Sequence, residues 1–272
     1  MPGYVHGYDG AANDRLNDQA KALSDRIHGD VRFGEDELVL EVGCGVGSQT
    51  AMLAANNPKT RFVASDISEA SLETAQTRLA ASSDRVRFQR ADINALPFKD
   101  NMFDHAFICF VLEHLPDPSA ALQEVARVTR PGGTLTVIEG DHGSVLIYPE
   151  SEDARAAIAC QVALQAKSGG NAMIGRSLYP LMVNSGLIDV SVAPRLIYAD
   201  GGHPTLAEDF TCRTFTEMIA GVRQDALNAN MIDDKQFDRG IAALRKAAGP
   251  KGTFSYTFFR GFGAVPKPQF DK

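Results

Sequence analysis

Short apolar runs and helix-like segments alternate along residues 36–140 of the chain. Leu38-Val39-Leu40-Glu41-Val42 has the length of a strand and ends abruptly in glycines, and Ser48 to Asn56 then reads as a helix stopped by Asn57-Pro58. Arg61 to Ser65 predicts a second strand, and Ser68 caps a helix running to about Ala81. Arg85 to Gln89 predicts a third strand. Asp104 to Phe110, nearly all apolar, predicts a fourth that is covered on both faces. Ala120 to Thr129 is helical, Arg130-Pro131-Gly132-Gly133 turns the chain, and Thr134 to Glu139 predicts strand five. Strands joined by helices in this order fold as a parallel sheet with right-handed crossovers. Ligands of such sheets lie beyond the carboxyl ends of the strands.

The pattern changes after residue 140. Segments 152–168, 176–185, 205–229 and 234–248 read as helices, while Asp189 to Tyr198 and Thr253 to Val265 read as strands. Two long strands that close the sheet, separated by a helical insertion, account for this half better than an independent domain. The expected fold is α/β: a doubly wound, mostly parallel, seven-stranded sheet in one domain over residues 1–272, a length that suits a single elaborated domain. Residues 1–30 form an N-terminal lid around a polar amphipathic helix (about Asn13 to Ile27), and 36–144 form the core. A helical elaboration with strand six follows over 145–250, and the final strand is 253–265.

Composition narrows the partners. A formal charge of −7 and the lack of any basic run disfavour nucleic acid, whose binding relies on Lys and Arg neutralising phosphates. Cys44, Cys109, Cys160 and Cys212 are widely spaced with no C-x-x-C pair, so neither a zinc site nor a disulfide framework is expected. The start Met1-Pro2-Gly3-Tyr4 lacks the features of a signal peptide. The most apolar stretch, Ala106 to Leu112, is far shorter than the roughly 20 residues that span a bilayer. A cytoplasmic protein without a membrane span is expected, and a homodimer stays open.

The chemistry concentrates after the first strand, at Glu41-Val42-Gly43-Cys44-Gly45-Val46-Gly47. Alternating glycines let the backbone turn tightly and approach a ligand with no Cβ in the way. The following helix offers free N–H groups and a positive dipole end. The spacing G-x-G-x-G after an acid differs from the G-x-G-x-x-G that seats a dinucleotide, which weakens an NAD-dependent oxidoreductase reading. Asp66 ends the second strand 19 residues after Gly47, where a carboxylate can accept from both ribose hydroxyls or cap the next helix. Asp92, after the third strand, could accept from an adenine amino group or be a solvated loop acid.

Together these residues resemble the class I S-adenosylmethionine (SAM)-dependent methyltransferases, in particular their ubiquinone/menaquinone-biosynthesis-like branch. Glu41, Gly43, Gly45 and Gly47 match the family's first motif, Asp66, followed by Ile67, the ribose-binding acid, and Asp92 with Ile93 the adenine-binding pair. Leu96-Pro97-Phe98 with Phe103-Asp104, Val111-Leu112-Glu113-His114-Leu115 and Arg130-Pro131-Gly132-Gly133 also match, so the likeness is specific over roughly 36–140. A closer set of small methyltransferases shares Tyr4-Val5-His6-Gly7-Tyr8, Glu139-Gly140-Asp141-His142-Gly143-Ser144 and the segment Thr253 to Phe259. The resemblance implies a Rossmann-like methyltransferase fold, SAM as cofactor, and methyl transfer to nitrogen, oxygen or carbon of a small-molecule acceptor. The alternative is a non-catalytic SAM-binding sensor or activator subunit.

An acceptor that carries a proton must lose it, and the candidates for taking it follow strands four and five. His114 and His142 can titrate near neutral pH, with Asp141 or Glu113 to orient a histidine or anchor an amine. Each has a plainer reading: Glu113 and His114 could hold the loop before Pro116, and His142 could satisfy loop backbone. Tyr8, with Tyr4, could set its ring face to the sulfonium or simply pack. Arg15 could pair with the SAM carboxylate or lie exposed, and Phe110 could wall the cofactor or belong to the core. No metal is expected.

Overall fold

The computed structural model describes Leu23 and residues 26–268. Seven strands form one sheet: β1 (Leu38–Val42), β2 (Arg61–Asp66), β3 (Val86–Arg90), β4 (Phe103–Cys109), β5 (Thr129–Tyr148), β6 (Ile188–Asp200) and β7 (Thr253–Ala264). Their order is β3-β2-β1-β4-β5-β7-β6. The first five run parallel, and β7 lies antiparallel to both β5 and β6. The order reverses between β1 and β4, which places the switch-point crevice at the carboxyl ends of those strands.

The apolar run of β4 is explained by its place at the centre. Ala106 and Ile108 enter the core on one face with Leu40, Val42, Leu122 and Val125. Phe107 and Cys109 enter the other with Val39, Leu53 and Phe62. Helices α1 (Ser48–Asn56), α2 (Glu69–Arg78) and α3 (Pro118–Val128) make the crossovers. Ser68 caps α2 by accepting from Ser71 N, and Asp117 caps α3 by accepting from Ala120 N at 2.9 Å. Helix α2 stops at Arg78, short of the expected Ala81, and a brief 3₁₀ turn (Ala80–Ser82) follows.

Two expectations need correction. Strand five does not begin after the Pro-Gly-Gly segment or stop at Glu139: β5 covers twenty residues from Thr129 to Tyr148. Antiparallel pairing with β7 carries it past Asp141, through a register shift, to Leu146–Tyr148. The long helix expected over 205–229 is broken into a short piece (Pro204–Leu206), a π-helical segment (Ala207–Thr216) and two short α-helices (Glu217–Gly221 and Arg223–Asn228). The helices Glu152–Lys167 (α4) and Leu178–Asn184 (α5) fall where expected, as does the amphipathic Asp234–Ala247. On the outer sheet, Leu146, Ser255 and Tyr198 lie side by side in register and so share a face. That face also carries Tyr148 and Leu196, and these apolar residues are exposed. No helix among the described residues is long and apolar enough to cross a membrane.

Candidate active site

The chain leaves β1 through three glycines in the left-handed region, with φ of +74° at Gly43, +52° at Gly45 and +76° at Gly47. At two of them packing forbids a side chain: a Cβ on Gly43 would lie 2.3 Å from Val111 Cγ2, and one on Gly47 2.9 Å from Ala75 Cβ. Gly45 differs. Among the described residues nothing stands within 4 Å of the place its Cβ would take. Its N–H donates to Asp66 Oδ2 at 2.8 Å, and Ser68 N donates to Asp66 Oδ1 at 2.8 Å. Asp66 therefore braces the glycine loop while it shapes the turn into α2. Helix α1 opens on Gly47 with no side-chain cap, leaving its first N–H groups directed at the loop.

Glu41, on β1 behind the loop, is 2% exposed, and its Oε2 has no hydrogen-bond partner. Burial, opposed by the nearby Thr50 hydroxyl and aided by the charge of Asp66, pushes its carboxyl up to about 7. Asp66 is likewise raised by burial, against the N–H bonds of Ser68 and Gly45. Ala91 N donates to Asp66 O at 3.0 Å and ties the start of the β3 loop to the end of β2. In that loop Asp92 Oδ1 accepts from Asn94 N and Nδ2, both at 2.9 Å. Ile93 is buried in the core with Leu40 and Val63, whereas Ile67 is 36% exposed beside Asp66. Phe110, just past β4, has a φ of +60°, a strained state for a bulky residue. Its ring lies 5.2 Å from that of Phe258. Tyr8 and Arg15 lie outside the described residues.

This set fits an adenosyl sulfonium. Among the described residues no atom crowds the place a Gly45 side chain would take, the carboxylate of Asp66 lies against that glycine, and the buried carboxyl of Glu41, with Oε2 unpartnered, would be held ionised by a positive charge. Groups of His, Cys, Asp and Glu able to hold a metal are absent among the described residues.

The histidines sit deeper, around the ends of β4 and β5. His114 Nε2 lies 3.6 Å from Glu113 Oε1, and burial lowers the histidine's pKa. His142 is almost wholly buried. Its backbone N–H donates to Ala172 O at 3.0 Å, its Nδ1 lies 3.0 Å from the same carbonyl and 3.1 Å from the Tyr256 hydroxyl, and its Nε2 has no partner. A carbonyl takes only a donated proton, so Nδ1 carries the hydrogen and Nε2 the lone pair. Burial lowers this histidine's pKa and keeps it neutral. Asp141 does not orient it. Both oxygens of Asp141 are taken by Arg176, from Nε at 2.7 Å and Nη2 at 2.8 Å, and Oδ1 also accepts from Gly143 N. The structure thus gathers His114, His142, Glu113 and Asp141 but assigns the orientation of His142 to Ala172 and Tyr256.

Sequence reasoning missed Glu139, Gln161, Gln165, Tyr256 and Arg176 as members of this cluster. Glu139 is fully buried at the expected end of strand five. Its Oε1 accepts from Val111 N at 3.0 Å and Leu112 N at 2.7 Å. A lone charge closing an otherwise apolar strand was the available signal. The others are joined by pairings across 35 residues or more, or by helix faces that composition does not reveal.

Comparison with known proteins gives a coherent picture. Residues 40–137 match the model of a methyltransferase domain. An uncharacterized 37.1 kDa protein in transposon Tn4556 of Streptomyces fradiae is 36% identical over 186 residues, covering 68% of this chain and 52% of that protein. The demethylmenaquinone methyltransferase of Clavibacter sepedonicus is 41% identical over 103 residues, covering 38% of this chain and 41% of that one. The chain thus spans about half the length of the curated relatives it matches. Among solved structures, phosphoethanolamine N-methyltransferase 2 of Haemonchus contortus in complex with S-adenosyl-L-methionine superposes with a TM-score of 0.56 at 17% identity, over 92% of this chain and 52% of that one. That likeness is one of fold.

Proposed function

We propose that this chain, which belongs to the class I SAM-dependent methyltransferases through its domain over residues 40–137, transfers a methyl group to a small-molecule acceptor. The observation that carries the reading is the junction of Gly45 and Asp66: a left-handed glycine with no described residue within 4 Å of its Cβ position, braced by a carboxylate at the carboxyl end of the neighbouring strand. Bound SAM supplies an electrophilic methyl carbon, so the protein's work is placement. In this reading Asp66 receives the ribose hydroxyls, Asp92 the adenine amino group, and Glu41 stands behind the loop as the counter-charge. His142 Nε2, a buried lone pair on a neutral ring, is the group suited to take a proton from the acceptor.

Calorimetric titration with S-adenosylhomocysteine tests this. The wild-type chain binds, and Asp66→Ala loses at least about tenfold in affinity while its circular dichroism stays native, a loss in the range of one charge-assisted hydrogen bond. Unchanged affinity in that variant would remove the assignment.

The same reading includes a cytoplasmic setting and a homodimer. The four free cysteines, none paired, suit a reducing compartment. The exposed apolar face of the outer sheet, with Leu146 at 71% and Leu196 at 62%, suits a protein surface that is covered in the assembly. Sedimentation of the full chain reads the assembly directly, and a monomer at all concentrations would exclude the dimer.

A further inference from the structure

Away from the glycine loop, toward the opposite edge of the sheet, lies a cavity of about 430 Å³, a size within the roughly 300–1,000 Å³ of small-molecule pockets. Its floor is the sheet itself. His105 on β4 pairs with Thr134 on β5, and on the next rung of that face Thr136, Phe262 and Ser191 stand side by side on β5, β7 and β6. Residues 30–33, which precede β1, make the wall. Wall and floor are held by bonds of their own. Phe33 N donates to Asn57 Oδ1 at 2.8 Å, while His105 Nδ1 lies 2.6 Å from Thr134 Oγ1 and its Nε2 2.8 Å from Glu37 Oε2. A ligand would find the cavity already formed. It is a separate place from the cofactor crevice: His105 stands four residues before Cys109, the last of β4, about 13 Å of extended strand. A methyl acceptor has to sit within roughly 3–3.5 Å of the methyl carbon, so this cavity cannot serve it.

The charge around the cavity is unbalanced toward the positive. Asp30 is the one lining carboxylate among the described residues, and two guanidiniums share it: Arg195 Nη2 and Arg260 Nη2 each donate to its Oδ2 at 3.0 Å. Arg260 itself lines the cavity, as does Arg32. Arg32 Nη1 donates to the main-chain carbonyls of Gly29 at 2.6 Å and Val31 at 2.9 Å, and among the described residues no carboxylate pairs with it. Three guanidiniums beside one carboxylate favour an anion, and the planar N–H fork of arginine suits a carboxylate or a phosphate. Hydroxyls of Thr136 and Ser191 add donors on the floor. The apolar part of the lining is aromatic. Phe262, on a strand paired along both edges, is 43% exposed, and the ring of Phe33 lies 5.3 Å from that of His105. A flat ring laid on Phe262 would cover apolar surface that the described residues leave open.

We infer that this cavity is a second binding site, for a small aromatic molecule carrying an oxyanion, with the carboxylate or phosphate held by Arg260 and Arg32 and the ring against Phe262. The site goes beyond the methyltransferase reading and does not depend on it, since neither the cavity nor its charge involves the glycine loop.

The test titrates the full chain by calorimetry with phenylacetate and phenyl phosphate, beside 2-phenylethylamine and the ringless anions acetate and inorganic phosphate. At least one aromatic anion should bind with a Kd of about 1 mM or tighter, and at least about tenfold more tightly than the amine and than its own ringless anion. The better of the two aromatic anions tells carboxylate from phosphate. Arg260→Met should weaken that binding by at least about tenfold. Ser191→Trp, at an exposed position of strand β6, should fill the cavity and weaken it as much, which keeps the test open should Arg260→Met fail to fold. Excess S-adenosylhomocysteine should leave the affinity within about twofold. Absence of binding by both aromatic anions overturns the proposal, as does an amine or a ringless anion that binds equally well. So does undiminished binding in either variant once folded, and competition by S-adenosylhomocysteine would place the probe in the cofactor crevice instead.

Discussion

Gly43 and Gly45 share a left-handed backbone, yet their surroundings assign them different work. At Gly43 a methyl group would meet the left-handed penalty and collide with Val111, whose chain segment is itself pinned by Glu139. Gly43→Ala should therefore lose about 2–4 kcal/mol of stability, the sum of a backbone term and an overpacking term. Gly45 has the backbone term alone, so Gly45→Ala should lose only about 1 kcal/mol. Its methyl group would take a place beside Asp66 that no described residue crowds, and S-adenosylhomocysteine affinity should fall by at least about tenfold. Urea unfolding of both variants, read beside ligand titration, separates the two effects. A Gly45→Ala protein that binds as well as wild type would show that the space beside the loop is not where the nucleoside sits. Phe110 adds to this picture. It holds a positive φ at the same crevice, and such strain persists only where the neighbouring structure imposes it, here through the bond from Phe110 N to Ile138 O at 2.9 Å.

Among the elements, the π-helical segment Ala207–Thr216 explains how the insertion grips the sheet. Phe210 and Phe215 are five residues apart, and both pack on Tyr256 (5.8 and 5.6 Å) and on Phe254 (5.8 and 5.1 Å). In an α-helix residues five apart point about 140° away from each other, so they could not share those partners. The wider turn brings them together. The hydroxyls of Thr214 and Thr216 reinforce it by donating to the carbonyls five residues back, Asp209 at 2.8 Å and Thr211 at 2.6 Å. Inserting an alanine after Cys212 makes the spacing six, which neither an α nor a π turn brings to one face, and should pull one phenylalanine off β7. The melting temperature should drop well beyond that of Cys212→Ala, by several degrees for each kcal/mol lost. Equal melting of the insertion and the alanine variant would mean that the shared face of the two rings is incidental. The break in the helix expected over 205–229 is the same fact seen from the sequence, since a 3.6-residue period hides a spacing of five. Strand five was misjudged for a related reason. Thr129 to Gly133 and Gly140 to Ser144 are rich in Gly, Pro and polar residues; Thr129 is drawn into the strand by pairing with Phe103 of β4, and Gly140 and Asp141 by pairing with β7, more than a hundred residues later.

Taken as a whole, the molecule divides into a half that local pattern specifies and a half that long-range pairing specifies. The parallel strands could be read because β1, β2 and β4 are largely buried runs and β3 alternates apolar with polar residues, each bounded by local turn or cap signals. The glycine loop and Asp66 could be read because the cofactor edge is built from residues that directly follow strands. The acid and histidine cluster could be read only in part: Glu113 is held by Gln165 on α4 and His142 by Tyr256 on β7, contacts that no local pattern announces. Those buried groups set how stability should vary with pH. Glu41 is held near 7 by burial, above its value in an unfolded chain, so the folded state keeps a proton that the unfolded state releases. Its contribution is fully present below about pH 4.5, declines as the pH rises, and is lost above about 7. The buried histidines 28, 114 and 142 act in the opposite sense in part of the same range. Their pKa values are lowered, so stability falls as the pH drops below about 6.5 and the unfolded chain takes up protons. The total profile therefore mixes the two, but the difference between Glu41→Gln and wild type isolates one. Subtracting the wild-type unfolding free energy from that of the variant should give a value that is level at low pH. It should climb by on the order of 2–3 kcal/mol between about pH 4.5 and 7 and level off again. Denaturant melts at half-unit steps of pH measure it. A difference that stays flat across that interval would mean that Glu41 titrates as an ordinary exposed carboxyl, and the counter-charge assigned to it behind the glycine loop would have to be given up.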